Sequence, residues 1–355
     1  MSQPEVIVTW LQNDYGQLGR AAESIAHAMV DGGLASKVVY CEPGPPSDGP
    51  ATLNCHEDRG LHVYQHQGQG VSPEEYGRVV AQNAGLTDPL LVNCGVGDLN
   101  WWFHHALAPV ARTTTLVTHD MLHLWPGITV ESANRLERMR THLIRCNDHV
   151  VGLSSGSIPD VPAAVYVGHG CDPAWEDPTV DRLPEPADLA AIAHPRALYF
   201  GSLSTRIDVP AIAAIADEGI NVVLVGFAPS VEVAALVERH PQVHWLGARA
   251  PSASAPYLLH SDVGIVPHTD EPFTATMEPH KLYNYACAGL PSVALHCVCP
   301  PVLDGFVEAA YVRADFVKGV LRAVESGRLD AAQVQQARRL TWLRVARLVL
   351  DVASA

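Results

Sequence analysis

The stretch FTATMEPHKLYNYACAGLPSVAL, Phe273 to Leu295, places a cation where a helix should begin. Pro279 suits a first helical turn and Gly289-Leu290-Pro291 is a stop, so the pattern predicts a helix of about three turns from near Met277 to Ala288. On it Lys281, Asn284, Tyr285 and Ala288 share one face, at the spacing i, i+3, i+4, i+7. Lys281 is the odd residue. A cation in the first turn opposes the helix dipole, and the chain has only three lysines (Lys37, Lys281, Lys318) among its 23 basic residues. An anionic ligand between Lys281 and the helix start would resolve the conflict. The plain alternative is a solvated lysine, at a cost of about a few tenths of a kcal/mol.

Four other clusters are weighed for chemistry. Gly201 to Arg206, GSLSTR, puts a glycine turn, the hydroxyls of Ser202, Ser204 and Thr205, and an arginine directly after an apolar run. Arg206 could bind an anion or pair with Asp208. THDMLHLWPG places His119, Asp120 and His123 just after TTTLV; a near-neutral imidazole or a carboxylate can take a proton from a hydroxyl. Asp120 ranks first as such a base, His119 second, and His123 reads as packing. His119 and His123 also have a zinc-like spacing, but no third ligand is identifiable. His296-Cys297-Val298-Cys299 lacks a second pair, so its cysteines read as buried strand residues, and neither metal nor cofactor is expected. Gly16 and Gly19 lie in the first strand-to-helix turn, where α/β sheets bind ligands. Their spacing is not a dinucleotide fingerprint, which disfavours a nicotinamide cofactor.

These residues need rigid elements to hold them. VIVTW, a helix from Arg20 to Asp31 and KVVYCEP form a βαβ pattern, followed by LHVYQHQG, PLLVNCG, TTTLVTHD, HVVGLSS and AAVYVGHG. The helix between Glu131 and Asn147 carries alternating charges that mark a solvated face. After a Pro- and Asp-rich stretch, Pro173 to Pro195, read as a linker, ALYFG, NVVLVG, VHWLG, VGIVPH and SVALH supply a second sheet. Gly305 to Gly327 and Ala331 to Val352 read as helices. The expected class is therefore α/β with two doubly wound, Rossmann-like domains: residues 1–175, residues 196–330, and a final helix in 331–355. That helix combines leucines with arginines; it packs back on the first domain or lies on an anionic membrane.

Composition bounds the rest. With 23 basic and 38 acidic residues the net charge is −15, which argues against a nucleic-acid partner. Eight scattered cysteines point to reduced thiols in a cytoplasm. No apolar run approaches the ~20 residues of a membrane span, and the opening residues do not read as a signal peptide. The expectation is a cytoplasmic protein, at most peripheral to a membrane.

The motifs from Arg196 to Leu295, taken together, resemble the nucleotide-sugar half of a GT-B glycosyltransferase. More narrowly, they are similar to the bacterial group 1, family 4-like transferases of exopolysaccharide and teichuronic acid synthesis, whose signature reads Pro-x-Lys-Leu-Tyr-Glu-Tyr-x-Ala-Ala-Gly-x-Pro. The first half resembles that family more loosely, and VGHGCDPAW matches its domain-closing Asn-Gly-Val-Asp turn with His169 in place of Asn. The resemblance implies two domains facing across a cleft and a metal-free site. Arg206 and Lys281, helped by Ser204 and Gly16, would hold the donor diphosphate. Asn284 stands where the family has the glutamate that binds ribose, and Thr276 where many members carry the first acid of a pair that touches the sugar. Glu278 could compensate or simply favour the helix start. Gly247 and Arg249 match the place of the base, or form a surface turn.

The reading that unites these points is transfer of a sugar from a nucleoside-diphosphate sugar, UDP before GDP or dTDP, to a hydroxyl of a glycan, lipid-linked or small-molecule acceptor. A nucleotide-sugar epimerase on the same scaffold, or a degenerate transferase that only binds a partner, are the alternatives.

Overall fold

The computed structural model describes residues 3–9, 21–43, 52–67, 72–227 and 229–355. The chain divides into two compact units, residues 1–168 with 342–355, and residues 169–341.

In the first unit the elements follow as β1 (Glu5–Thr9), α1 (Ala21–Asp31), β2 (Lys37–Pro43), β3 (Thr52–Asp58), β4 (Leu61–Gln67), α2 (Pro73–Ala84), β5 (Leu90–Cys94), α3 (Asp98–Leu107), β6 (Thr113–Thr118), α4 (Val130–Cys146), β7 (His149–Gly152) and β8 (Val165–Tyr166). The sheet order is β3-β4-β2-β1-β5-β6-β7-β8, parallel except for the edge strand β3. Parallel strands covered on both faces are mostly apolar, and β5 is buried at every residue, its one polar residue Asn93 being hydrogen-bonded to Thr9 and Asn100. The β3 hairpin was not foreseen: TLNCHED is polar, because an edge strand needs no second apolar face.

The second unit contains α5 (Ala187–Ala190), β9 (Arg196–Phe200), α6 (Val209–Asp217), β10 (Asn221–Val225), α7 (Val231–Arg239), β11 (Val243–Trp245), α8 (Ser254–Leu259), β12 (Val263–Pro267), α9 (Lys281–Cys287), β13 (Ser292–Leu295), β14 (Val307–Ala310), α10 (Arg313–Ser326) and α11 (Ala331–Ala337). Its parallel sheet runs β11-β10-β9-β12-β13-β14. The order reverses between β9 and β12, the point at which open α/β sheets bind ligands beyond their strand ends. The loops that leave those two strands carry Gly201 to Arg206 and His268 to Thr269.

Several expectations are corrected. The stretch 173–195 is not a linker: Trp175, Val180, Leu189 and Ile192 are buried in the core of the second unit. The expected helix 305–327 begins with strand β14. The expected terminal helix is two helices, α11 in the second unit and α12 (Trp342–Ala353) in the first. The apolar face of α12, including Val345, Val349 and Ala353, is buried with α1 residues Ile25 and Met29. That face is therefore covered within its own unit. Cys297 and Cys299 follow β13 rather than lying in it, and Arg140 of α4 is buried and paired with Asp160 instead of solvated. No helix among the described residues is long and apolar enough to cross a membrane.

A histidine group on α3 and α4 sets a pH limit on the first unit. Burial pushes the His104 imidazole down to about 4, helped by His105 and His142 and opposed by Asp148. It lowers His105 as well, with Glu74 opposing. Both rings are neutral when folded but protonate at the ordinary ~6.5 when unfolded, so stability is full above that value and falls as pH drops toward about 4. Urea unfolding should show a midpoint that declines between pH 7 and pH 5, with a shallower decline in His104→Phe.

Candidate functional site

The site grows from a close approach of two turns. Gly201 follows β9, and a Cβ on Gly226, which follows β10, would fall 1.7 Å from the Gly201 carbonyl oxygen. Only glycine fits there. At Gly201 itself, φ is +152°, and an added Cβ would lie 3.1 Å from Lys281 Cε and 3.3 Å from its Nζ. The lysine is thus laid down on the glycine turn. Its ammonium donates to the Tyr199 hydroxyl at 3.1 Å and sits 4.3 Å from the centre of that ring; the hydroxyl in turn donates to the Ser202 carbonyl at 3.0 Å. Among the described residues no carboxylate lies within ion-pair distance of Lys281.

Lys281 is the first residue of α9, which has seven residues. The helix is shorter than the sequence predicts because Met277 to His280 are non-helical, and Pro279 lies before the first turn rather than in it. Arg206 reaches the same region from the β9 loop. Its Nε donates to Ser204 Oγ at 3.3 Å, its Nη1 lies 3.3 Å from Met277 Sδ, and its guanidinium carbon is 5.7 Å from the centre of the Phe273 ring. Asp208, the alternative partner for Arg206, instead receives Arg313 Nε at 2.9 and 2.8 Å and caps α6 through Ala211 N–H.

Both cations bear electrostatically on His268, which is 1% exposed just after β12. Burial first, then the charges of Lys281 and Arg206, hold its imidazole well below the usual histidine range. The buried imidazole thus lies in the fields of both positive charges.

Other expected residues serve the chain in other ways. The Asn284 amide oxygen accepts from Asp172 N–H at 2.8 Å and Trp175 Nε1 at 3.2 Å, which leaves only the amide NH2 for a ligand. Glu278 is 3% exposed and accepts from the Tyr283 hydroxyl at 2.6 Å; this places it in the core, as a carboxylate for Tyr283 rather than a sugar contact or a helix-start charge. Thr276 Oγ1 donates to the Phe273 carbonyl at 2.9 Å. Arg249 is held by Asp188 at 2.6 Å and by the Tyr257 hydroxyl at 3.0 Å. Gly247 has φ +77°, and its carbonyl accepts from Gly226 N–H at 2.9 Å. Gly16 lies outside the described residues.

In the first unit His119 and Asp120 directly follow β6, half-buried, with His119 Nε2 3.4 Å from Asp120 Oδ2. They form one acid–base pair rather than two separate candidates. His123 sits in a short 3-10 turn, its imidazole lowered by burial.

Four residues escaped sequence reasoning. Tyr199 and His268 lie in runs that read only as strands. Phe227 and Trp245 follow or end β10 and β11, 50% and 43% exposed, and the Trp245 indole donates to the Gly226 carbonyl at 2.9 Å. An aromatic at a strand's carboxyl end beside a glycine is the signal that could have marked the last two.

No protein-family model matches the sequence, and no curated protein does. Solved structures do. The apo structure of OtsA aligns at TM-score 0.70 and 12% identity, over 99% of each chain. An α,α-trehalose-phosphate synthase (UDP-forming) from Burkholderia xenovorans, in complex with glucose-6-phosphate, aligns at 0.69 and 12%, over 99% of this chain and 100% of its own. AviGT4, a glycosyltransferase of avilamycin A biosynthesis, aligns at 0.59 and 14%, over 99% and 97%. At such identities the likeness concerns architecture, and the architecture of this chain is the GT-B fold.

Proposed function

We propose that the chain is a glycosyltransferase that moves a sugar from a nucleoside-diphosphate sugar, with UDP as the preferred nucleotide, to a hydroxyl of a glycan, lipid-linked or small-molecule acceptor. The observation that carries this reading is Lys281: an ammonium without a carboxylate partner among the described residues, seated on the Gly201 turn at the switch point of the second sheet. A half-buried cation left with neutral partners fits an anionic ligand, and Arg206 supplies a second charge. Two similar structures support the nucleotide, since one belongs to a UDP-forming synthase and another holds UDP-2-fluoro glucose.

In the reaction the bond from the sugar's anomeric carbon to the diphosphate breaks, and a bond from that carbon to the acceptor oxygen forms. Negative charge grows on the leaving diphosphate. Lys281 and Arg206 stabilise it without needing a metal ion. The acceptor proton passes to Asp120, with His119 holding the carboxylate in place. Asn284 offers its NH2 to the ribose. The exposed rings of Phe227 and Trp245 offer the base a stacking surface, a role that Arg249, bound to Asp188, is less free to fill. The expected setting is cytoplasmic.

Calorimetry with UDP should show an affinity at least about tenfold weaker in Lys281→Ala, or ~1.4 kcal/mol. Equal affinity in the two proteins would refute the clamp. Asp120→Asn should retain UDP affinity within about twofold while transfer from a UDP-sugar falls by a factor of about 10²–10⁴. Undiminished turnover would move the base elsewhere, and UDP binding without turnover of any donor in the unaltered protein would favour a degenerate transferase.

A further inference from the structure

The second unit has a concavity of about 710 Å³ on the side of the β9 loop where α6, α7 and α10 begin. It falls within the usual size of a small-molecule site, and its chemistry differs from that of the Lys281 side. Arg313 is the basic side chain of its lining, and both its contacts go to Asp208, which is 4% exposed and also caps α6. Asp208 thus offsets its charge through Nε, while the side chain stays 57% exposed and its Nη groups meet no acceptor among the described residues. Glu232 and Asp270 then give the lining a negative balance, with His296 Nδ1 3.6 Å from Asp270 Oδ1.

Beside these acceptors stands an apolar surface. Tyr311 is 70% exposed and the adjoining Val312 53%, and both line the cavity. A ligand matched to it has one apolar face for the tyrosine ring and a rim of hydroxyl donors for the carboxylates. Such a face-and-rim pattern is that of a pyranose. A phosphate on the same ligand would meet a lining in which acidic side chains outnumber basic ones.

We propose that this cavity is a second saccharide site, which takes an unphosphorylated sugar or oligosaccharide stacked on Tyr311 with its hydroxyls donating to Glu232 and Asp270. It does not depend on the transferase reading. The two sites share one loop: Thr205 lines the cavity, Arg206 belongs to the clamp, and the Thr269 N–H that accompanies the cavity donates to the Arg206 carbonyl at 2.9 Å.

The test is titration of the full chain, without nucleotide, with glucose, glucosamine, maltose, N,N′-diacetylchitobiose and glucose 6-phosphate, followed by calorimetry or saturation-transfer NMR. At least one unphosphorylated sugar should bind saturably, at least about tenfold more tightly than glucose 6-phosphate, and at least about tenfold more weakly in Tyr311→Ala or Asp270→Asn. Both substitutions fall on exposed side chains, and an unchanged circular dichroism spectrum confirms folding. Absence of sugar binding, indifference to both substitutions, or preference for the phosphorylated sugar would each overturn the proposal. UDP titrated into the same samples reports on the donor site alone, so failure of one reading leaves the other measurable.

Discussion

The contact of Gly226 with the Gly201 carbonyl is the constraint on which the candidate site depends. Two strands of a parallel sheet deliver their turns to one point, and the backbones meet at a distance that no side chain at position 226 could allow. That meeting fixes the surface on which Lys281 lies. The lysine's stem packs on bare backbone, its ammonium is steered by Tyr199, and its charge stays uncompensated by any carboxylate of the described residues. Tyrosine's ring and hydroxyl orient a cation at low cost without neutralising it. A carboxylate in their place would hold the lysine more strongly and leave less for a ligand.

Much of this was legible because parallel sheets are written in simple terms. Apolar runs such as NVVLV and VGIVP can be little else than buried strands when glycine and helical spacing separate them. Glycines 201, 226 and 247 announced the turns. What remained hidden were facts of tertiary partnership. Whether Arg206 pairs with Asp208 depended on Arg313, which lies more than a hundred residues away. The buried place of Glu278 depended on the hydroxyl of Tyr283, and the fate of Arg249 on Asp188 in a stretch that reads as a linker. The β3 edge strand escaped because its polar residues carry no two-faced pattern, and β14 because four residues beside a helix give too short a signal.

The second unit also separates charge across a single loop. One side brings Lys281 and Arg206 toward a buried imidazole that burial and their fields keep neutral. On the other, Asp208 offsets Arg313 and leaves acidic groups in excess. Burial explains the first arrangement: a protonated His268 beside two cations would cost too much, so the local charge stays at two rather than three.

Asn284 shows how a departure from a family pattern can be structural in origin. Its oxygen receives two N–H groups from residues 172 and 175, tying the segment that enters the second unit to α9, the helix that begins with Lys281. A glutamate there could accept the same bonds with its two oxygens and still reach a ribose hydroxyl, whereas the amide has one oxygen and both donors already claim it. In the proposed function the ribose contact therefore falls to the NH2, which donates where a carboxylate would accept.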